Sequence, residues 1–134
     1  MDKLGIFLAF DGNCAEVLEI YATIFDTKPG RVMKYGDGPS DRQIPGFEDK
    51  IMYSDMMIGG ENVMFSDAPP HGAPHVAGNN FCMSYTGKDF DRLHRIFDAL
   101  SDGGTVIMPM QKTFFSELYG MVTDKFGITW NVMA

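Results

Sequence analysis

The sequence predicts an α+β fold made of two copies of one β-α-β-β-β module. Three observations lead there. The order strand, helix and three strands runs twice through the 134 residues, with a period of about 70 residues. Each predicted helix carries one apolar stripe, and paired glycines or other turn formers punctuate both copies. The repeat is two modules and not a solenoid, because each four-stranded sheet needs the face of the other to enclose a cavity.

The first strand is Leu4 to Phe10, L-G-I-F-L-A-F, broken by Asp11-Gly12-Asn13. A helix is expected next, with Asn13 as N-cap and Glu16 three positions later completing a capping box. Val17, Leu18, Tyr21, Ile24 and Phe25 form its apolar stripe, and Pro29-Gly30 ends it. Strands follow at Arg31 to Tyr35, Ile51 to Ile58 and Asn62 to Ser66, the last two joined by Gly59-Gly60, a pair suited to the positive φ of a tight hairpin. Gly36 to Asp49, rich in Gly, Pro and charge, reads as a mobile loop.

A Pro/Gly-rich connection, Asp67 to Gly78, leads to the second copy. Its first strand is Asn80 to Tyr85, and Thr86 with Asp89 resembles another capping box. Phe90, Leu93, Phe97 and Leu100 supply the second stripe, and Gly103-Gly104 closes that helix, glycine being the residue that takes the left-handed conformation after a last turn. Thr105 to Met110, a segment around Leu118 to Thr123, and Ile128 to Met133 complete the strands. The chain is thus one domain over 1–134, with modules at about 4–66 and 79–134 and a linker at 67–78.

Composition excludes several classes of function. A formal charge of −7, without a basic cluster, repels a nucleic-acid backbone. No apolar run approaches the ~20 residues needed to cross a bilayer, and Gly5 to Phe10 is too short for a signal-peptide core. A cytoplasmic protein with no membrane partner is expected. Cys14 and Cys82 are too few and too far apart for a disulfide framework or a four-ligand zinc site. Eleven Phe and eleven Met suit either a Met-rich core or an adaptable apolar cavity.

Few residues suggest chemistry. His71 and His75 in H-G-A-P-H could approach one metal, but no regular element fixes them. His94 stands among Arg92 and Arg95, off the apolar stripe and facing solvent. Cys14 opens the first helix, where free N–H groups favour a thiolate; no nearby His follows as a base, so a packed thiol is the plainer reading. Cys82, within a strand, reads as inert. Asp55, Glu61, Asp67, Glu117 and Asp124 offer carboxylates near strand ends, with Asp67 and Asp124 read as strand terminators that bond turn N–H groups. No catalytic residue is identifiable on these grounds.

The segments F-D-G-N-C-A-E-V-L-E-I-Y at Phe10 to Tyr21, I-G-G at Ile58 to Gly60, F-S-D at Phe65 to Asp67, M-P-M-Q-K-T-F-F from Met108 and G-M-V-T-D-K-F-G-I-T-W to Trp130 resemble PhnB-like proteins. These belong to the glyoxalase/bleomycin-resistance/dioxygenase, or vicinal-oxygen-chelate, superfamily. The resemblance implies curled mixed sheets around a central cleft, commonly in a homodimer. In metal-dependent relatives a divalent ion in that cleft polarises the substrate. Here the position of their last ligand, a glutamate, is Asn131, the first strand offers no ligand, and Tyr53 stands where many PhnB-like chains have histidine. No metal and no cofactor are therefore expected, a divalent metal being the alternative. The usual methyl-donor fold needs a glycine-rich loop between an early strand and its helix, which this sequence lacks. Methyl transfer is not expected.

Tyr53, Phe65, Met108, Phe115, Tyr119 and Asn131 are the expected lining of a ligand-binding cleft, with Phe114 and Trp130 on the same strands or their connections. About half of such positions should face it, since strand side chains alternate. In this register Asn131 faces the cleft and Trp130 and Val132 face away. The expected activity is binding of a small apolar or aromatic molecule. The alternatives are a metal-dependent enzyme of the glyoxalase or dioxygenase type, or a structural or regulatory dimer with a vestigial cleft.

Overall fold

A computed structural model describes residues 1–71 and 73–134; Gly72, within the H-G-A-P-H segment, lies outside the described residues. The chain forms two compact units, Met1–His75 and Val76–Ala134. Their boundary falls inside the expected linker.

The first unit consists of β1 (Ile6–Phe10), α1 (Cys14–Ile24), β2 (Pro29–Lys34), β3 (Ile51–Ile58) and β4 (Glu61–Asp67). Its sheet has the order β1-β4-β3-β2. β1 runs parallel to β4, whereas β3 is antiparallel to both β4 and β2. The parallel pair follows from connectivity: α1 carries the chain to β2, which runs in the direction of β1, and the two reversals through β3 bring β4 back in that same direction beside β1. Gly59 and Gly60, at φ 59° and 85°, turn the β3–β4 hairpin as expected. Leu8, Phe10, Met56, Ile58, Val63 and Phe65 are buried with Val17, Leu18 and Tyr21 of α1. Phe10 and Tyr21 each lie about 6 Å from Phe65, ring to ring, at 6.2 and 6.1 Å.

The second unit repeats this arrangement with β5 (Met83–Thr86), α2 (Phe90–Ser101), β6 (Thr105–Gln111), β7 (Tyr119–Thr123) and β8 (Thr129–Met133). Its sheet order is β5-β8-β7-β6, with β5 parallel to β8 and the other pairs antiparallel. Met83, Val122, Trp130 and Val132 are buried with Leu93, Ile96, Phe97 and Leu100. Gly120 permits this packing, because an added Cβ would stand 2.8 Å from the Phe97 ring and 2.6 Å from the Met110 sulfur. The two βαβββ modules constitute the vicinal-oxygen-chelate fold.

Both expected capping boxes are corrected. Asn13 makes no side-chain cap bond; the first N–H of α1, that of Cys14, instead donates to Asp67 Oδ1 at 2.9 Å. A carboxylate from the end of a neighbouring strand is a stronger acceptor than a local amide, and the fold delivers it to the helix start. In the second unit Thr86 ends β5, and Asp89 is the N-cap, accepting from the Arg92 N–H at 3.1 Å. The segment read as a mobile loop holds two short 3-10 turns, Tyr35–Asp37 and Ser40–Arg42. It is tied by a Gly36 N–H to Glu48 carbonyl bond of 2.9 Å and by the Gln43 amide on the Gly38 carbonyl, also 2.9 Å.

Candidate functional site

Sheet pairing assigns the expected lining residues that lie on strands to a face, since directly opposed residues share one; Phe115 lies in the β6–β7 connection. On β8, Trp130 and Val132 are buried on the face covered by α2, so Asn131 stands on the uncovered face. Its partners in register are Ser84 on β5 and Met121 on β7. Met121 is opposed in turn by Met108 on β6.

A hydrogen-bonded cluster forms around Asn131. The Tyr119 hydroxyl donates to Asn131 Oδ1 at 2.9 Å, and the Asn131 amide nitrogen lies 3.3 Å from both Cys82 Sγ and Ser84 Oγ, as donor to each. Phe115 meets Tyr119 edge-on at 5.2 Å, and Phe114 meets Phe115 at 5.3 Å. Thus Met108, Phe115, Tyr119 and Asn131 belong to one surface of the second unit. It presents aromatic rings and thioethers around a single polar point.

Tyr53 occupies the uncovered face of the first unit's sheet, where its hydroxyl donates to Asp55 Oδ2 at 3.0 Å. That bond to a carboxylate holds the phenol above its usual range. Phe65 is corrected: it is fully buried on the helix-covered face, because it shares the parity of Val63 and Asp67, which points inward to α1. Counting by two along β4 distinguishes these faces only once the inward residue is known.

Cys82 and Ser84 join this cluster although no sequence motif marks them. Cys82 precedes β5 and is exposed. Their i, i+2 spacing is compatible with one strand face, but their approach to Asn131 depends on β5 pairing with β8, which joins residues nearly fifty positions apart.

The side chains gathered around Asn131 include no imidazole and no carboxylate. The Asn131 oxygen already accepts from Tyr119, and an amide is a poor metal ligand beside imidazole or carboxylate. Among the described residues no group of three or more His, Cys, Asp or Glu is placed to hold a metal ion. His75 Nε2 lies 3.0 Å from the Ala9 carbonyl, and His94 is exposed on α2.

Cys14 is a buried thiol. Burial, followed by the charge of Asp67, pushes its pKa up to about 12, so the helix start does not activate it. At about pH 8 its thiolate fraction is roughly a thousandth of that of the unfolded chain. Iodoacetamide should therefore label exposed Cys82 while Cys14 reacts at least ~100-fold more slowly, the two becoming comparable in urea. Peptide mass spectrometry over a time course reads this directly, and equal native rates would contradict the assignment.

Comparison with known proteins places the chain. The sequence model of a family described as 3-demethylubiquinone-9 3-methyltransferase matches residues 2–133, nearly the whole length. The chain belongs to that PhnB-like family. It is 29% identical to protein YjdN of Escherichia coli over 138 residues, spanning 96% of this chain and 92% of YjdN. The crystal structure of PA1353 from Pseudomonas aeruginosa superimposes with a TM-score of 0.88 at 30% identity, covering 99% of this chain and 97% of that one. The PhnB protein of Bacillus cereus shares the fold, with a TM-score of 0.81, 23% identity and 98% coverage of each chain. Among the described residues of this PhnB-like chain, no helix is long and apolar enough to cross a membrane.

Proposed function

We propose that this PhnB-like chain binds a small apolar or aromatic molecule against the uncovered face of its second sheet, with no metal taking part. The observation that carries this reading is the Asn131 cluster, in which Tyr119, Ser84 and Cys82 satisfy the amide within a surface of Phe115, Met108 and Met121. A few fixed polar groups in an apolar wall orient a ligand, and thioethers adapt to its shape. The lone pairs that these bonds leave on the Tyr119 hydroxyl and on Asn131 Oδ1 are the orienting acceptors.

The test is an NMR titration with a set of mono- and bicyclic aromatic compounds, run beside elemental analysis and titration with Ni, Zn, Mn and Fe(II). Amide shifts should centre on Met108, Phe115, Tyr119 and Asn131. Asn131→Ala should weaken the best compound by about tenfold, the worth of one or two polar contacts, and leave metal content unchanged. Asn131→Glu should not create tight metal binding, since one carboxylate without imidazole partners is an incomplete set. Stoichiometric metal bound with micromolar affinity would sink this reading in favour of a metal-dependent enzyme; compounds that shift none of these residues would sink it in favour of a structural or regulatory dimer with a vestigial cleft.

A further inference from the structure

We infer that the first unit carries a second ligand site, suited to a small aromatic zwitterion, in the cavity beside the start of α1. The cavity measures about 620 Å³, within the range of small-molecule sites. Three segments of the first unit line it: Asp11 to Asn13 before α1, Phe47 with Lys50 ahead of β3, and the described residues between Ala68 and His75 after β4.

The apolar part of the lining is stiff. Phe47 is held edge-on by Tyr35 at 5.0 Å, and the Tyr35 hydroxyl donates to the Asp67 carbonyl at 2.8 Å. Pro69, Pro70 and Pro74 face the same cavity. Proline has no N–H and little freedom to lose, so these rings and the Phe47 face offer a preformed apolar slot for a flat ring.

The polar part carries both signs of charge. Lys50 Nζ donates to the Gly12 carbonyl at 2.8 Å, which uses one of its three donors and fixes the ammonium. Asp11 supplies an exposed carboxylate. His75 Nε2 lies 3.0 Å from the Ala9 carbonyl; a carbonyl only accepts, so Nε2 is the donor and the ring is fixed at the cavity wall. Because Asp67 caps α1, the Asn13 side chain has no capping bond to make and joins the lining as an amide. A plain anion would meet the like charge of Asp11, and a plain cation that of Lys50. A ligand with a carboxylate and an ammonium on an aromatic body answers both.

L-phenylalanine serves as the probe, with 3-phenylpropionate lacking its ammonium and phenethylamine lacking its carboxylate. In a 15N-resolved NMR titration of the full chain, L-phenylalanine should shift the amides of Asp11 to Asn13, Phe47, Lys50 and His75. Each one-charge analogue should bind about tenfold more weakly, the loss expected for one charge-assisted contact. Asp11→Asn should narrow the gap to 3-phenylpropionate, and Lys50→Met the gap to phenethylamine. Asp11 is exposed and its variant tests the site even where Lys50→Met disturbs the turn at Gly12. The two sites are told apart by which amides shift, those of Asp11, Phe47 and Lys50 for this cavity and those of Tyr119 and Asn131 for the second sheet. No shift at these residues up to roughly 10 mM probe, equal affinity for all three compounds, or shifts confined to the Tyr119 and Asn131 surface would overturn the inference.

Discussion

Asp67→Ala should lower the free energy of unfolding by about 3–5 kcal/mol, a large part of the stability of a domain this size. The side chain is 1% exposed and joins three elements. Oδ1 accepts from the Cys14 N–H that opens α1 at 2.9 Å, and Oδ2 from the Ile51 N–H that opens β3 at 2.8 Å. Alanine removes both acceptors without admitting water, and each abandoned buried N–H costs about 1–3 kcal/mol. Asp67→Asn should fall between, because an amide can accept one bond while its N–H2 faces the other donor. Urea denaturation reads both variants from the midpoint at constant slope. Loss of the carboxylate should also bring the Cys14 pKa down, but only in part, since burial is the larger cause of its rise. An Asp67→Ala loss below about 1 kcal/mol would show that α1 finds another cap.

Trp130→Ala should cost about 3–5 kcal/mol, as expected for emptying a large aromatic site in a core. The ring is 1% exposed, and its Nε1–H donates to Asp124 Oδ2 at 3.0 Å. The other oxygen of Asp124 accepts from the N–H groups of Phe126 and Ile128 at 2.9 and 3.0 Å. The indole therefore packs the sheet against α2 and braces the β7–β8 turn. Trp130→Phe separates the two contributions: most of the packing survives, Asp124 has one donor fewer, and the loss should be about 1–3 kcal/mol. Thermal unfolding followed by circular dichroism measures both, since the chain has no other Trp to report by fluorescence. Equal losses for the two variants would place the energy in the hydrogen bond and not in the packing.

The repeat, both helices and the Gly59-Gly60 hairpin were legible because their signals are local. An apolar stripe at helical spacing or a glycine pair between strands acts within a few residues. Alternation along β8 placed Asn131 opposite Trp130 and Val132 for the same reason. It could not place Phe65, because parity along β4 says that Phe65 and Met64 face apart without saying which of them meets α1.

The caps show the same limit. Asn13 satisfies the local rule for a helix start, yet the acceptor at Cys14 comes from Asp67, 53 residues away. Cys82 and Ser84 reach Asn131 only because β5 lies parallel to β8. Alternation, turn chemistry and apolar periodicity act over a few residues, and these suffice for the elements and the two-module order. Which carboxylate caps α1, which aromatic face is buried, and which side chains surround Asn131 are set by strand pairing between distant segments. That pairing is selected by burial of whole faces and not by any local pattern.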